Sequence, residues 1–70
     1  MMPLLLAETG ESHLVRHIGG TPEVKRHLED LGLVVGAPVT IVSRIGGNVI
    51  VSVKESRLAI DERLAQKIMV

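Results

Sequence analysis

The stretch LEDLGLVVGAPVTIV, residues 28–42, changes its hydrophobic period between two glycines that lie four positions apart. Up to Gly32 the apolar residues recur at helical spacing, and after Gly36 they follow the alternation of a strand. Gly32 directly follows the last apolar residue of the helical pattern, where a left-handed residue ends many helices. The pattern therefore predicts a sharp helix-to-strand corner, in which we expect Leu33 to fold back on Leu28.

The predicted helix before this corner is TPEVKRHLEDLG, residues 21–32. Thr21 is a suitable N-cap, and Pro22 occupies the first helical position, where its missing N–H is not needed. Val24, Leu28 and Leu31 lie on one narrow apolar stripe, and the charged residues take the other side. We therefore expect one amphipathic helix that packs on a sheet.

The rest of the chain reads as short strands separated by turn signals. Leu4, Leu5 and Leu6 of an irregular lead-in are expected to cover one end of the core. Asp61 is predicted to cap a helical turn, and the last strand should pair with the first, because Ile68 and Val70 need cover. The predicted elements are a first strand at 13–18, strands at 38–44, 48–54, 57–60 and 68–70, a hairpin turn at 45–48 and the helical turn at 62–67.

Length and composition limit the architecture and exclude some function classes. Seventy residues without cysteine predict a single small domain, residues 1–70, with neither disulfides nor thiolate metal sites. The eight basic residues balance the eight acidic ones, and Phe, Tyr and Trp are absent. A nucleic-acid binder needs a basic excess and usually aromatic stacking platforms, so we exclude nucleic-acid partners. The fold class we expect is mainly β (α+β), a small barrel of about five short antiparallel strands.

The three histidines are weak candidates for metal ligands. His13 and His17 lie four residues apart, which on a helix would bring them to one ion. On the predicted strand they share a face about 13 Å apart, too far for one ion. His27 lies one helical turn after Glu23, so this pair is at most half of a metal site. We therefore expect no resident cofactor and leave weak Fe²⁺ or Zn²⁺ binding open.

Catalytic signatures are missing from the sequence. The serines lie in no local nucleophile motif, and IGGN at 45–48 lacks the lysine and hydroxyl residue of a phosphate-binding loop. We predict that the protein is not an enzyme.

An apolar run after the helix, Leu33 to Val35, suggests an interaction surface. The first expectation is that all three side chains plug one end of the barrel. The alternative is that one of them stays exposed and faces a partner, because a helix end followed by a turn seldom buries three consecutive side chains. The predicted partner-binding residues are Arg26, Leu33, Val34 and Arg44. Strand edges near residues 39–44 and 49–53 could also pair between copies and give a homo-oligomer.

Taken together, the motifs resemble those of the FeoA family of small ferrous-iron-transport accessory proteins. The matching pieces are GE at 10–11, HIGG at 17–20, LEDLGLVVGAPVTIV at 28–42 and RLAIDERLAQKIMV at 57–70. The resemblance implies an SH3-like β-barrel with one helix after the first strand and a short helix before the last.

It also implies a cytoplasmic protein that docks on FeoB, a membrane ferrous-iron transporter with a GTP-binding domain, and is recruited by it to the inner face of the membrane. Two alternatives stay open. One is a stand-alone copy of the SH3-like module of metal-dependent repressors. The other is a protein that binds transition metals directly.

Overall fold

The chain folds into two antiparallel sheets and two helices, and the computed structural model describes all 70 residues. A four-stranded sheet has the order β1-β3-β4-β5, and β2 pairs with β6 in a second sheet. A single 3-10 turn, Leu4–Leu6, precedes the first strand. The elements are β1 (Ser12–Leu14), β2 (His17–Ile18), α1 (Pro22–Asp30), β3 (Pro38–Ile45), β4 (Asn48–Val53), β5 (Ser56–Asp61), α2 (Glu62–Ala65) and β6 (Ile68–Met69).

A single aliphatic cluster fills the space between the sheets and helices. It contains 15 buried side chains, and no polar or charged residue is buried. The predicted alternation of β4 is confirmed, because Val49, Val51 and Val53 are all at most 2% exposed. Of the three leucines expected to cover the core, Leu4 is buried and Leu5 half-buried, but Leu6 is exposed.

The corner after α1 is built as predicted. Gly32 has φ +98°, in the left-handed region, and its N–H donates to the carbonyl of Glu29 at 2.9 Å. The N–H of Leu33 donates to the carbonyl of Leu28 at 3.0 Å. These two bonds form a Schellman motif, which satisfies carbonyls at the helix end. Leu28 and Leu33 are both fully buried in the core cluster.

The single first strand predicted at 13–18 is wrong, since the chain forms two strands that lie in different sheets. The division falls between Val15 and Arg16. The carbonyl of Val15 accepts from the N–H of Gly36 at 2.7 Å, and its N–H donates to the carbonyl of Ala37 at 2.9 Å. The N–H of Arg16 instead donates to the carbonyl of Met69 at 2.8 Å, so the chain changes sheets here and the strand count is six rather than five.

The last strand pairs with the latter half of that predicted first strand, as expected. β6 is antiparallel to β2, with His17 opposite Met69 and Ile18 opposite Ile68. On the other side of β6, the N-terminal segment pairs through two reciprocal backbone bonds of 2.9 and 2.8 Å between Met2 and Val70 and through a bridge between Pro3 and Met69.

Both helix caps are confirmed. The Thr21 hydroxyl accepts from the N–H of Val24 at 3.2 Å, and the Asp61 carboxylate accepts from the N–H of Leu64 at 2.9 Å. The second helix covers only Glu62–Ala65, shorter than the predicted turn at 62–67.

A β-bulge in β3 decides where Arg44 points. The hairpin register pairs Ile41 with Val51 and then Ser43 with Ile50, so that Val42 has no opposite residue. An extra residue reverses the alternation of all the residues that follow it. Arg44 therefore lies opposite Val49, on the core-side face at the rim of the sheet.

The guanidinium of Arg44 holds the N-terminal segment against this rim. It donates to the carbonyl of Leu5 at 2.7 Å, to the carbonyl of Ala7 at 2.8 Å and to the Thr9 hydroxyl at 3.0 Å. Ala7 is 2% exposed and belongs to the core cluster. A planar, rigid cation suits this task, because it can reach several acceptors at once.

The strand edges predicted for self-association are wrong in position. β3 and β4, which contain residues 39–44 and 49–53, are the two central strands of the four-stranded sheet. The edges of that sheet are β1 and β5, because the order runs β1-β3-β4-β5.

No helix in the structure has the length and apolar character needed to cross a bilayer.

Substitution of Gly32 by alanine should destabilise the protein by about 1–2 kcal/mol, measured by urea denaturation. The backbone cost at φ +98° is joined by a crowded contact, since a Cβ there would lie 3.2 Å from Cγ1 of Val53.

Gly36→Ala and Gly47→Ala are matched controls for this measurement. Gly36 has φ +92° with nothing within 4 Å of an added Cβ, so it reports the backbone cost alone. Gly47 is likewise uncrowded and has no positive φ, so its substitution should be close to neutral. Equal losses for Gly32→Ala and Gly47→Ala would contradict the corner analysis.

Replacement of Arg44 by methionine should loosen the N-terminal segment at a cost of about 1–3 kcal/mol, because three hydrogen bonds are lost. Amide hydrogen exchange should increase at Gly10, whose N–H donates to the Ile41 carbonyl at 2.8 Å. Arg44→Lys is expected to recover only part of the loss, since an ammonium cannot reach all three acceptors. Unchanged exchange at Gly10 in Arg44→Met would argue against this role.

Candidate functional site

Two large apolar side chains are exposed on segments that meet at the corner. Val35 is 62% exposed in the turn between the helix and β3, and Leu14 is 54% exposed on β1. The backbone bonds between Val15 and the corner join the segments that contain them. Pro38, also exposed, is the register partner of Leu14. We call Leu14, Val34, Val35 and Pro38 the corner surface.

The corner surface is held by buried residues on both sides. Leu33 is fully buried and Ala37 is 7% exposed, so the chain rises out of the core and returns within five residues. The N–H of Ala37 closes the turn on the Val34 carbonyl at 3.0 Å, with Gly36 at φ +92° in the third position. Glycine is preferred at that position because of its positive φ. The corner surface is therefore a well-anchored protrusion.

An open groove of about 750 Å³ adjoins the corner surface through Leu14. Its wall combines apolar side chains with one cationic side chain, Arg16, and the imidazole of His13. The residues that line it are Met1, Met2, Ser12, His13, Leu14, Arg16 and Val70.

The one contact within 4.0 Å between a basic and an acidic side chain in the whole chain joins His13 to Glu11. The Nε2 of His13 lies 3.7 Å from Oε2 of Glu11, and this nitrogen is buried without a hydrogen-bond partner. His13 is half-buried in β1, whereas His17 is exposed in β2, so the two histidines do not share a strand face. The predicted 13 Å spacing on one strand is therefore wrong. No third His, Cys, Asp or Glu joins His13 and Glu11 to form a metal cluster.

The predicted pair on α1 is not formed. His27 and Glu23 are both exposed, and no ion pair within 4.0 Å joins them. Metal binding by His13, His17, His27 or Glu23 remains a prediction.

The predicted partner-binding residues fall into different environments. Leu33 is wrong as a contact residue, because it is fully buried under the helix end. Val34 is half-buried at the base of the protrusion, and Arg26 is exposed on α1. Arg44 is exposed but directs three donors to the chain's own N-terminal segment.

Three members of the corner surface, Leu14, Val35 and Pro38, were not among the predicted site residues. Val35 lies inside the apolar run Leu33 to Val35, and its exposure overturns the expectation that all three side chains plug the barrel and supports the alternative of one exposed side chain. The exposure of Leu14 could not be predicted, because HLVRHI, residues 13–18, reads as one regular strand whose side chains alternate between two faces. Only the contact of Val15 with the corner reveals its exposure.

The side-chain hydrogen bonds serve structure. Two are the helix caps and three belong to Arg44, and none involves a serine or a histidine.

The whole fold recurs in proteins of ferrous-iron transport. The family model described as FeoA domain matches residues 2–70. A Methanocaldococcus jannaschii protein with the provisional name Fe(2+) transport protein A is 36% identical over 70 residues, which cover 100% of this chain and 85% of that protein.

Solved structures agree with this match. A crystal structure of an iron uptake regulatory protein, FeoA, has a TM-score of 0.87 at 30% identity and covers 96% of this chain and 89% of its own. FeoA from Stenotrophomonas maltophilia, a prokaryotic SH3 domain protein crystallised with zinc, has a TM-score of 0.85 at 24% identity, covering 99% and 88%. The predicted SH3-like fold is thereby confirmed, with six strands.

A manganese-dependent transcriptional repressor shares the fold alone. Its TM-score is 0.85 at 19% identity, and the match covers 94% of this chain but only 38% of the repressor. The matches to FeoA sequences extend over nearly the whole chain, and they decide between the FeoA proteins and the repressor. The chain belongs to the FeoA family, a family of transport accessory proteins.

Proposed function

We propose that this protein is a cytoplasmic accessory protein of ferrous-iron uptake that docks, through the corner surface, on a FeoB-type membrane transporter with a GTP-binding domain. Docking recruits it to the inner face of the membrane. The observation that supports this proposal most is the exposure of Leu14 and Val35, 54% and 62%, on a protrusion that is anchored in the core.

The chemistry of this surface favours contact with a protein. Exposed aliphatic side chains lose little conformational freedom when they are covered, and their burial gains free energy in proportion to the area covered. The chain has no net charge, so long-range electrostatic attraction contributes little to its association. The adjoining groove offers Arg16 and His13 as polar contacts that would fix the orientation.

The proposed mechanism is a shift between conformations of the transporter. A bound protein changes such an equilibrium only if it binds one conformation more tightly than the other. A protrusion that is already ordered loses less entropy on binding than a flexible loop, so more of the contact energy serves this discrimination. We propose binding, without catalysis and without a resident cofactor, as the whole activity.

A second candidate function follows from the shared fold of the manganese-dependent repressor. In this case the chain would be a stand-alone copy of a repressor-type interaction module, with a regulator as its partner. The transporter and the regulator are separated by the co-purification experiment below.

A direct carrier of transition metal is the third reading, in which His13, His17, His27 and Glu23 supply the ligands. Isothermal titration with Fe²⁺ and then Zn²⁺ tests it. Heat that disappears when the three histidines are replaced by alanine would support a carrier. We expect only weak heats in the wild-type protein, because no three metal-binding side chains cluster.

Acidic substitutions on the corner surface should abolish docking. We expect Val35→Asp and Leu14→Asp each to reduce co-purification with a FeoB-type transporter at least about tenfold, because a buried unpaired carboxylate is costly. The amount of protein retained on the immobilised transporter is the measurement.

Ile45→Asp is the matched control, because Ile45 is 65% exposed at the far hairpin of β3 and β4. It makes the same chemical change outside the corner surface and should bind like the wild type. Leu33→Asp is unsuitable, because it places a charge in the core and unfolds the chain. Equal retention of Val35→Asp, Leu14→Asp and Ile45→Asp would refute the corner surface. Retention of the wild type by a regulator but not by a transporter would favour the repressor-type module.

A further inference from the structure

The outer side of β5 is the longer of the two edges of the four-stranded sheet. β5 has six residues and pairs only with β4, whereas β1 at the opposite edge has three residues. Ser56, Arg57, Ala59 and Asp61 are all exposed. An open edge of this length is a template for the addition of another strand.

The alternation of bonded and non-bonded residue pairs shows which backbone N–H and C=O groups of β5 point away from β4. The N–H of Glu62 donates to the carbonyl of Gly47 at 3.1 Å, next to the register pair Asn48 and Asp61. Bonded and non-bonded pairs alternate along an antiparallel ladder. Arg57, Ala59 and Asp61 therefore turn their N–H and C=O groups away from β4. No turn or loop backbone group bonds to any of these three residues.

The side chains of the same three residues form a self-complementary charge pattern. Arg57, Ala59 and Asp61 lie on the outer face of β5 in the order basic, small, acidic. Neither Arg57 nor Asp61 makes an ion pair within the chain. When two β5 edges pair antiparallel about a two-fold axis at Ala59, each Arg57 lies directly opposite Asp61 of the other copy.

Two other registers bring like charges together. An axis at Leu58 would place Glu55 opposite Asp61, and an axis at Arg57 would place the two Arg57 side chains opposite each other. Like charges directly opposite each other destabilise a strand pair. The register with its axis at Ala59 is favoured over both, because it places Arg57 opposite Asp61 twice and brings no like charges together.

We propose that two copies of this protein associate through their β5 edges in that register, which joins two four-stranded sheets into one of eight strands. On the inner face the half-buried Leu58 then meets Ile60 of the second copy and is covered by it. The inference is independent of the proposed function. The corner surface includes Leu14 on β1, at the opposite edge of the sheet, and stays exposed in both copies.

Sedimentation velocity over a concentration series tests the association of the full chain. We expect a reversible monomer–dimer equilibrium in the wild type. Arg57→Glu should raise the dissociation constant about tenfold or more, because two attractive pairs become repulsive. Arg63→Glu is the matched control, since it changes the net charge equally on α2, outside the paired edge, and should leave the constant unchanged. Ala59→Pro should abolish the dimer, because it removes the outward N–H at the axis.

Cross-linking tests the register itself. The chain has no cysteine, so Ala59→Cys introduces a single thiol at the proposed axis. Two such residues lie about 5.5 Å apart between Cα atoms in a bonded pair, within reach of a short bis-alkylating reagent. Two Ser56→Cys residues would lie about 20 Å apart along the paired strands and should not be bridged. Combining Arg57→Glu with Ala59→Cys should suppress the cross-link.

Three results would overturn the proposal. The first is a single monomeric species up to the highest soluble concentration. The second is a dimer that persists in both Arg57→Glu and Ala59→Pro, and the third is equal cross-linking of Ala59→Cys and Ser56→Cys. Circular dichroism of each variant establishes that it is folded. If Ala59→Pro does not fold, the dissociation constants of Arg57→Glu and Arg63→Glu are compared instead, and equal values would overturn the proposal.

Discussion

Gly32 turns the chain through a left-handed residue, and Leu33 thereby packs in the core against Leu28 at the end of the helix. The same turn sends the backbone outwards as far as Gly36 and back at Ala37, where two hydrogen bonds join it to Val15. Those two bonds end the part of the N-terminal segment that pairs with the four-stranded sheet, and the next residue, Arg16, already bonds to Met69 of the second sheet. The helix end, the division of the sheets and the exposed corner surface therefore depend on one backbone conformation.

Because the core is aliphatic, the polar side-chain contacts that stabilise the fold surround it. Leucine, isoleucine, valine and alanine have no polar side-chain atoms, so the side-chain hydrogen bonds of the fold all lie at the border of the core. Two side-chain caps begin the helices, and Arg44 holds the N-terminal segment through three bonds. In a domain this small, where the buried fraction of the surface is low, such border contacts are a large share of the stability.

The parts of the fold that were predicted correctly from sequence are those fixed by neighbours along the chain. Helix caps, the left-handed glycine and the hairpin turn each depend on a few consecutive residues, and strand alternation shows directly in Val49, Val51 and Val53. The break at Val15 and the bulge at Val42 depend on contacts with distant segments, which a local pattern does not contain. The orientation of Arg44 and the exposure of Leu14 follow from those two irregularities. For this reason only part of the site was predictable.

Within the corner, the sequence pointed to the apolar run but did not show which of its side chains is exposed. Leu33, Val34 and Val35 are chemically similar, and their environments range from fully buried to mostly exposed. What separates them is the direction of the backbone after a positive φ, which sends Leu33 inwards and Val35 outwards.

The reciprocal bonds between Met2 and Val70 have a consequence for how this fold can be combined with others. A host polypeptide could enter at one of these residues and leave at the other while its own two ends stay a strand spacing apart. Such a module can be inserted into a surface loop or fused to a larger protein without stretching either chain. Because its ends are paired, the fold can be combined with other domains in one chain. The manganese-dependent repressor shows the same fold as one part of a longer chain.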